Sequence, residues 1–201
     1  MPDPAVPLHG VIVLAAGRSR RLGQSKQLLR IDGETLVHRS VRLALETGPA
    51  DCVVVCGLHP GGVAPSVADL DCRCVACADA DLGLSASLRC GLAALDAACA
   101  GALVLLTDQP YLDAAHLRAL RDAWRADADG AAASGYAGTA GVPALLPRAW
   151  FRQLAMASGD SGARDLLRTR ADQVRVVSAP HLERDIDFPG DLERPDSPNP
   201  A

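Results

Sequence analysis

Residues 8–29 read LHGVIVLAAGRSRRLGQSKQLL. The first eight form an apolar run broken only by His9 and Gly10, as expected of a strand buried on both faces. The run then enters a loop with two glycines, Gly17 and Gly23, and several small residues. Such a loop lets the backbone approach a ligand closely and turn N–H groups toward it. Arg18, Arg20, Arg21 and Lys26 fall within nine residues of an otherwise acidic chain. Lys26 is the single Lys among 20 basic residues, so it stands out against an Arg-rich and Ala-rich background. A positive loop at the carboxyl end of a buried strand suits a polyanion. A nucleotide triphosphate is the obvious one, held by main-chain amides and charge-assisted hydrogen bonds. The candidate contacts are Leu14, Ala15, Ala16, Gly17, Arg18, Ser19 and Lys26. A P-loop is excluded because Gly23 is followed by Gln24, and the dinucleotide fingerprint G-x-G-x-x-G is absent. A solvated basic loop is the plain alternative.

Outward from this stretch, strand-like and helix-like runs alternate. Helical spacing of Val37, Val41, Ala44 and Leu45 predicts a helix over 34–47, and DCVVVC at 51–56 predicts a strand. A short helix over 60–69 and a strand over 73–77 follow. Leu88, Leu92, Leu95 and Cys99 predict a helix over 84–98, and GALVLLT at 101–107 a fourth buried strand. Asp113 is the expected N-cap of a helix over 113–126. Beyond Gly130 the order changes: 131–136 and 142–146 flank a Gly/Ala-rich turn and can pair antiparallel. Helices over 150–156 and 162–170 and a strand over 174–178 complete the body. The expected fold is a Rossmann-like three-layer α/β/α arrangement, with a mostly parallel sheet and a small antiparallel part in the C-terminal half. Residues 1–192 are expected to be one domain, and the Pro-rich 193–201 a disordered tail. Ligands of such sheets bind beyond the carboxyl ends of the strands.

Four further segments carry chemistry. LVLLTDQP at 103–110 ends a buried strand on Asp108, whose carboxylate suits a hard cation such as Mg²⁺, or serves as a turn or capping group. GLSASLRCG at 83–91 places Ser85, Ser87 and Arg89 at a helix start, where free N–H groups favour an anion; N-capping by Ser85 explains the same pattern. GDSGARDLL at 159–167 offers Asp160 and Arg164, or simply a capped helix. DIDFPGD at 185–191 sets Asp185 and Asp187 facing the same way, an arrangement that a cation relieves, or is simply a solvated acidic turn. The five His show no ligand spacing, and the seven Cys lack the paired spacing of a zinc site. Cys52 and Cys56 alternate along a strand as small hydrophobes.

The run LAAGRSRRLGQSKQLL resembles the signature of the MobA-like nucleotidyltransferases, LAAGxSxRMGxxKxLL, with Leu22 where Met is usual. Within that group the chain looks most like the molybdenum cofactor cytidylyltransferases. The resemblance implies nucleotide contacts from Ser87, Arg89 and Asp108. It implies catalytic roles for Lys26, Arg18 and Asp108, metal ligation by Asp108 and Asp187, and acceptor contacts at Gly141, Pro143, Asp160 and Arg164. Many relatives have GHP where this chain has Gly141-Val142-Pro143, which leaves the acceptor in question. Ala16, where guanylyl-transferring relatives have Gly, implies cytosine. The implied reaction moves CMP from CTP to the phosphate of a molybdopterin-type cofactor, with Mg²⁺ or Mn²⁺, and releases pyrophosphate. A molybdenum hydroxylase is the class of partner that would receive the product. The alternatives are transfer to another phosphorylated small molecule, of the sugar phosphate or methylerythritol phosphate type, and a non-catalytic nucleotide- or cofactor-binding delivery protein.

Composition sets outer bounds. With 201 residues, 49% of them hydrophobic, the chain has enough apolar surface to offset ordering entropy. No apolar run reaches the roughly 20 residues of a membrane span. The N-terminus lacks the charge and apolar pattern of a secretory signal, so a cytoplasmic location is expected. A net charge of −4 argues against nucleic acid or an anionic membrane as partner.

Overall fold

The computed structural model of the protein describes residues 6–17, 25–58, 62–159 and 162–183. The opening apolar run forms β1 (His9–Ala15), buried at every position. A small hairpin, β2 (Arg30–Ile31) with β3 (Glu34–Thr35), precedes α1 (Leu36–Leu45). Then come β4 (Asp51–Cys56), α2 (Val63–Ser66), β5 (Arg73–Ala76), α3 (Leu84–Ala94), β6 (Gly101–Leu106) and α4 (Ala114–Arg125). The C-terminal half holds β7 (Ala131–Tyr136), β8 (Thr139–Pro147), α5 (Phe151–Met156), α6 (Arg164–Thr169) and β9 (Val174–Ser178).

Seven strands form one sheet in the order β5-β4-β1-β6-β8-β7-β9. Only β8 runs against the others: it pairs antiparallel with β6 and β7, whereas every other neighbouring pair is parallel. The expected three-layer architecture is therefore present, with its antiparallel part at β8. Strand alternation divides the core. Val11 and Val13 of β1, Val54 of β4 and Leu103 and Leu105 of β6 face α1, α2 and α4, where Trp124 is fully buried. Ile12, Val53, Val55 and Val104 face α3, α5 and α6. Among the described residues no helix is long and apolar enough to cross a membrane.

Several helix limits differ from the periodicity reading, each for a local reason. Thr35 caps α1, its Oγ1 accepting from the His38 amide, so Glu34 stays in the hairpin. Asp113 caps α4 as expected, accepting from the His116 amide at 2.8 Å. Helix α3 stops at Ala94 because Leu95 turns extended. Leu95 and Cys99 nevertheless stay on the same apolar face, against Gly10, where a Cβ would lie 2.5 Å from Leu95 Cδ1. Gly91 lets α3 sit on β1 and β4: a Cβ there would lie 2.5 Å from Ile12 Cγ2. Cys74 lies on the edge strand β5 and is exposed, while Cys52 and Cys56 are buried.

His9 ties the start of β1 to the end of α1. Its Nε2 lies 2.9 Å from Thr47 Oγ1, and that hydroxyl donates to the Ala44 carbonyl at 2.7 Å, so Nε2 carries the hydrogen. Burial, reinforced by the positive charge of Arg125 and Arg121, pushes the His9 pKa from 6.5 down to about 4. Between those values the unfolded chain binds a proton that the folded chain refuses. The contribution of His9 to stability is complete above pH 6.5 and falls as pH drops toward 4, by about 3 kcal/mol. Denaturant midpoints at pH 7.5 and 4.5 are expected to draw closer in His9→Gln than in the parent protein. Parallel pH profiles would show that His9 is not the group responsible.

Candidate active site

The carboxyl ends of β1 and β6 lie side by side, because Leu14 is paired with Leu106. Beyond β1 the chain continues through Ala16 and the exposed Gly17. The far side of the basic loop returns to the same place. Gln27, 3% exposed, donates from Nε2 to the Gly17 carbonyl at 2.6 Å, and Ser25 Oγ donates to Gln27 Oε1 at 2.7 Å. This amide clamps together the two ends of the segment that carries the arginines. Spacing gave no hint of Gln27, whose partner is a backbone carbonyl ten residues away.

The clamp sets Lys26, the first residue of a single 3₁₀ turn, over the end of β6. Lys26 Nζ lies 3.2 Å from Asp108 Oδ2, across 82 residues of chain. Both side chains are mostly covered, with 12% and 27% of their surface accessible. The second carboxylate oxygen, Asp108 Oδ1, is buried and has no hydrogen-bond partner among the described residues. A buried anionic oxygen left this way carries a substantial desolvation cost unless something arrives to meet it. A hard cation or a ligand donor would do so. Among the described residues no group of three or more His, Cys, Asp or Glu is placed to hold a metal.

Helix α3 runs antiparallel to the strands. Its Gly91 sits over Ile12 and its following residue Leu95 over Gly10, so its first turn projects over the end of β1. That turn holds Ser85 and Ser87, 1% and 5% exposed, and the Ser85 Oγ is a second buried oxygen without a partner among the described residues. The N-cap is Gly83 and makes no side-chain cap bond, so Ser85 is not the cap. The Ser85 amide donates to the Gly159 carbonyl at 3.0 Å, and Leu84 packs against Gly162. The structure thereby joins the 83–91 and 159–167 segments. Arg89 is exposed on the second turn of α3, and Arg164 is exposed at the first residue of α6. Gly141 and Pro143 are buried at the opening of β8. Arg18, Ser19, Asp160 and Asp187, together with the tail 193–201, lie outside the described residues. A separate cleft of about 600 Å³, between the β7–β8 hairpin, α6 and β9, includes none of the predicted site residues.

Residues 11–176 match the MobA-like NTP transferase domain. This chain belongs to that family. It is a nucleotidyltransferase by membership, with a sheet of the kind the family uses. The transferase is 34% identical over 182 residues to the probable molybdenum cofactor guanylyltransferase of Opitutus terrae, covering 86% of this chain and 85% of that protein. It is 31% identical over 166 residues to the purine catabolism protein PucB of Bacillus subtilis, covering 79% and 80%. Among solved structures it resembles Rv0371c of Mycobacterium tuberculosis, with a TM-score of 0.82, 30% identity and coverage of 94% and 96%. That protein has also been solved in complex with manganese (TM-score 0.73, 27% identity, coverage 87% and 89%).

Proposed function

We propose that this transferase moves CMP from CTP to the phosphate of a molybdopterin-type cofactor and releases pyrophosphate. The observation that carries the transfer chemistry is the Lys26–Asp108 pair at the joined ends of β1 and β6, with one Asp108 oxygen left open. Cytosine rests on Ala16 and on the GLSASLRCG segment, both features that resemble the cytidylyl-transferring branch. The molybdopterin-type acceptor rests on the same resemblance and on the name of the Opitutus terrae relative.

The chemistry follows from charge. The attacking group is a phosphate oxygen that is already anionic, so no strong general base is required. What remains is to align acceptor oxygen, α-phosphorus and leaving pyrophosphate, and to neutralise charge as it moves. Lys26, with Arg18, is assigned to the triphosphate. Asp108, with Asp187, is assigned to a divalent cation, Mg²⁺ or Mn²⁺, which when bound supplies positive charge to the phosphate oxygens. In this reading Asp108 orients Lys26 before the nucleotide arrives, and the triphosphate then takes over the ammonium. Ser87 and Arg89 are assigned to the nucleotide. Gly141, Pro143, Asp160 and Arg164 are assigned to the acceptor. A cytoplasmic location and delivery of the product to a molybdenum hydroxylase complete the reading.

A second reading is favoured by a specific finding: the Opitutus terrae relative is named a guanylyltransferase. Pyrophosphate release decides between them. With molybdopterin-type cofactor and Mg²⁺, CTP is expected to support turnover and GTP to support much less. Turnover with GTP alone would replace the cytidylyl assignment by a guanylyl one. Release with neither nucleotide would overturn the acceptor assignment.

A further inference from the structure

The opening of β8 carries a defect in its ladder. On β7, Ala133 pairs with Ala144, but the next residue, Ser134, pairs with Gly141. Val142 and Pro143 are therefore surplus on β8, and the pairing with β6 also ends at Ala144. Bulges of this kind re-aim a strand, often beside a functional site. Here the surplus residues lie over the end of β6, next to the corner that carries Asp108.

A bulge leaves backbone carbonyls without ladder partners, and each must be met in another way. Both carbonyls here are met by side chains. The Val142 carbonyl accepts from Tyr136 Oη at 2.8 Å and from Gln109 Nε2 at 3.1 Å. The Pro143 carbonyl accepts from Ser134 Oγ at 2.6 Å, and that hydroxyl in turn lies 2.8 Å from His116 Nε2. Gln109 follows Asp108 directly and is 5% exposed. Its Oε1 is buried without a partner among the described residues. The engaged side of this amide is its donor, which bonds the Val142 carbonyl and lies 3.4 Å from Tyr136 Oη. Gly141 allows the same grip, since a Cβ there would lie 2.8 Å from Tyr136 Oη.

We propose that Gln109 and Tyr136 are positioning residues for the acceptor substrate: together they grip the Val142 carbonyl and fix the Val142–Pro143 bulge as the acceptor-side wall beside Asp108. This rests on the reading that 141–143 faces the acceptor. It gives a physical role to a segment in which this chain has Val142 where relatives often have His. The wall is set from behind, through its backbone, rather than by a side chain at position 142.

The test uses the full-length protein and Gln109→Met, Tyr136→Phe and the double variant. Amide exchange over residues 139–146 needs no ligand, and each single variant is expected to exchange there about tenfold faster, with β1 and β4 unchanged. Affinity for CTP with Mg²⁺, read by calorimetry, is expected to stay within about twofold of the parent. The acceptor KM is expected to rise about tenfold with kcat little changed. Molybdopterin-type cofactor is the first acceptor, followed by methylerythritol phosphate and a hexose phosphate. Unchanged exchange over 139–146 would overturn the grip. Faster exchange with an unchanged acceptor KM, or with an equal loss of nucleotide affinity, would overturn the acceptor role. Failure of the parent protein with every acceptor would instead sink the transfer reading on which the proposal stands.

Discussion

Replacing Lys26 by Met is expected to lower turnover by about 10²–10³-fold, the usual cost of losing one preorganised charge at a reacting centre. Met keeps the length and apolar stem of the side chain and removes only the ammonium. The loss is therefore assigned to charge and not to packing. The ammonium is already aimed, since it lies 3.2 Å from Asp108 Oδ2 with 12% of the side chain accessible. Little ordering is left to be done when a triphosphate displaces the carboxylate. The cost to folding is expected to be about 1–3 kcal/mol, because Met leaves the partly covered Asp108 carboxylate without its ammonium. In a chain of this size each kcal/mol is a shift of about 2–4 °C in Tm. Lys26→Arg should not restore the rate, since a planar fork does not replace a compact point charge. Turnover within a few-fold of the parent, in a folded Lys26→Met protein, would remove Lys26 from the mechanism. Nucleotide affinity should fall together with the rate, whereas the concentration of divalent cation needed for half-maximal activity should not move.

Much of this architecture is written in one-body features of the sequence. The buried strands read directly as apolar runs because both of their faces are covered: Val11 and Val13 point to one helical layer, Ile12 to the other. Asp113 caps α4 through its own third amide, a bond local enough to be read from residue type and position. The features that were missed belong to two places in the chain at once. Gln27 is one polar residue among several in its loop, and only the folded chain shows the Gly17 carbonyl it holds. The Val142–Pro143 bulge is a mismatch of register between two strands, which neither strand shows alone. Leu95 and Cys99 kept helical spacing although the helix had ended, because they still pack on the same face against Gly10. The meeting of Lys26 with Asp108 was legible only through the resemblance of two separate motifs to one family. No rule of spacing joins residues 82 positions apart.

Asp108→Asn is expected to act on the other half of that pair and to leave a different signature. The substitution keeps the shape of the side chain, but it removes the negative charge and turns one oxygen into a donor. Lys26 would lose its ionic partner. More importantly, the site would lose an anionic oxygen, Oδ1, that is buried and otherwise unmet among the described residues. If that oxygen is held ready for a divalent cation, turnover should fall by about 10³-fold. The half-saturating concentration of Mn²⁺ should rise well above that of the parent, with partial recovery of rate at high Mn²⁺. Water-proton relaxation in the presence of CTP reads Mn²⁺ binding without turnover, so the metal role can be separated from the positioning of Lys26. A variant that is slow only because Lys26 has swung away should bind CTP more weakly but keep the Mn²⁺ affinity of the parent. Equal Mn²⁺ affinity in the two proteins would assign the open oxygen to a ligand donor instead of a cation. The Lys26 variant should show the converse, a weakened hold on CTP with an unaltered Mn²⁺ requirement. The two substitutions thus divide the pair into a phosphate-facing half and a metal-facing half, and a shared phenotype would mean that the pair acts only as a strut.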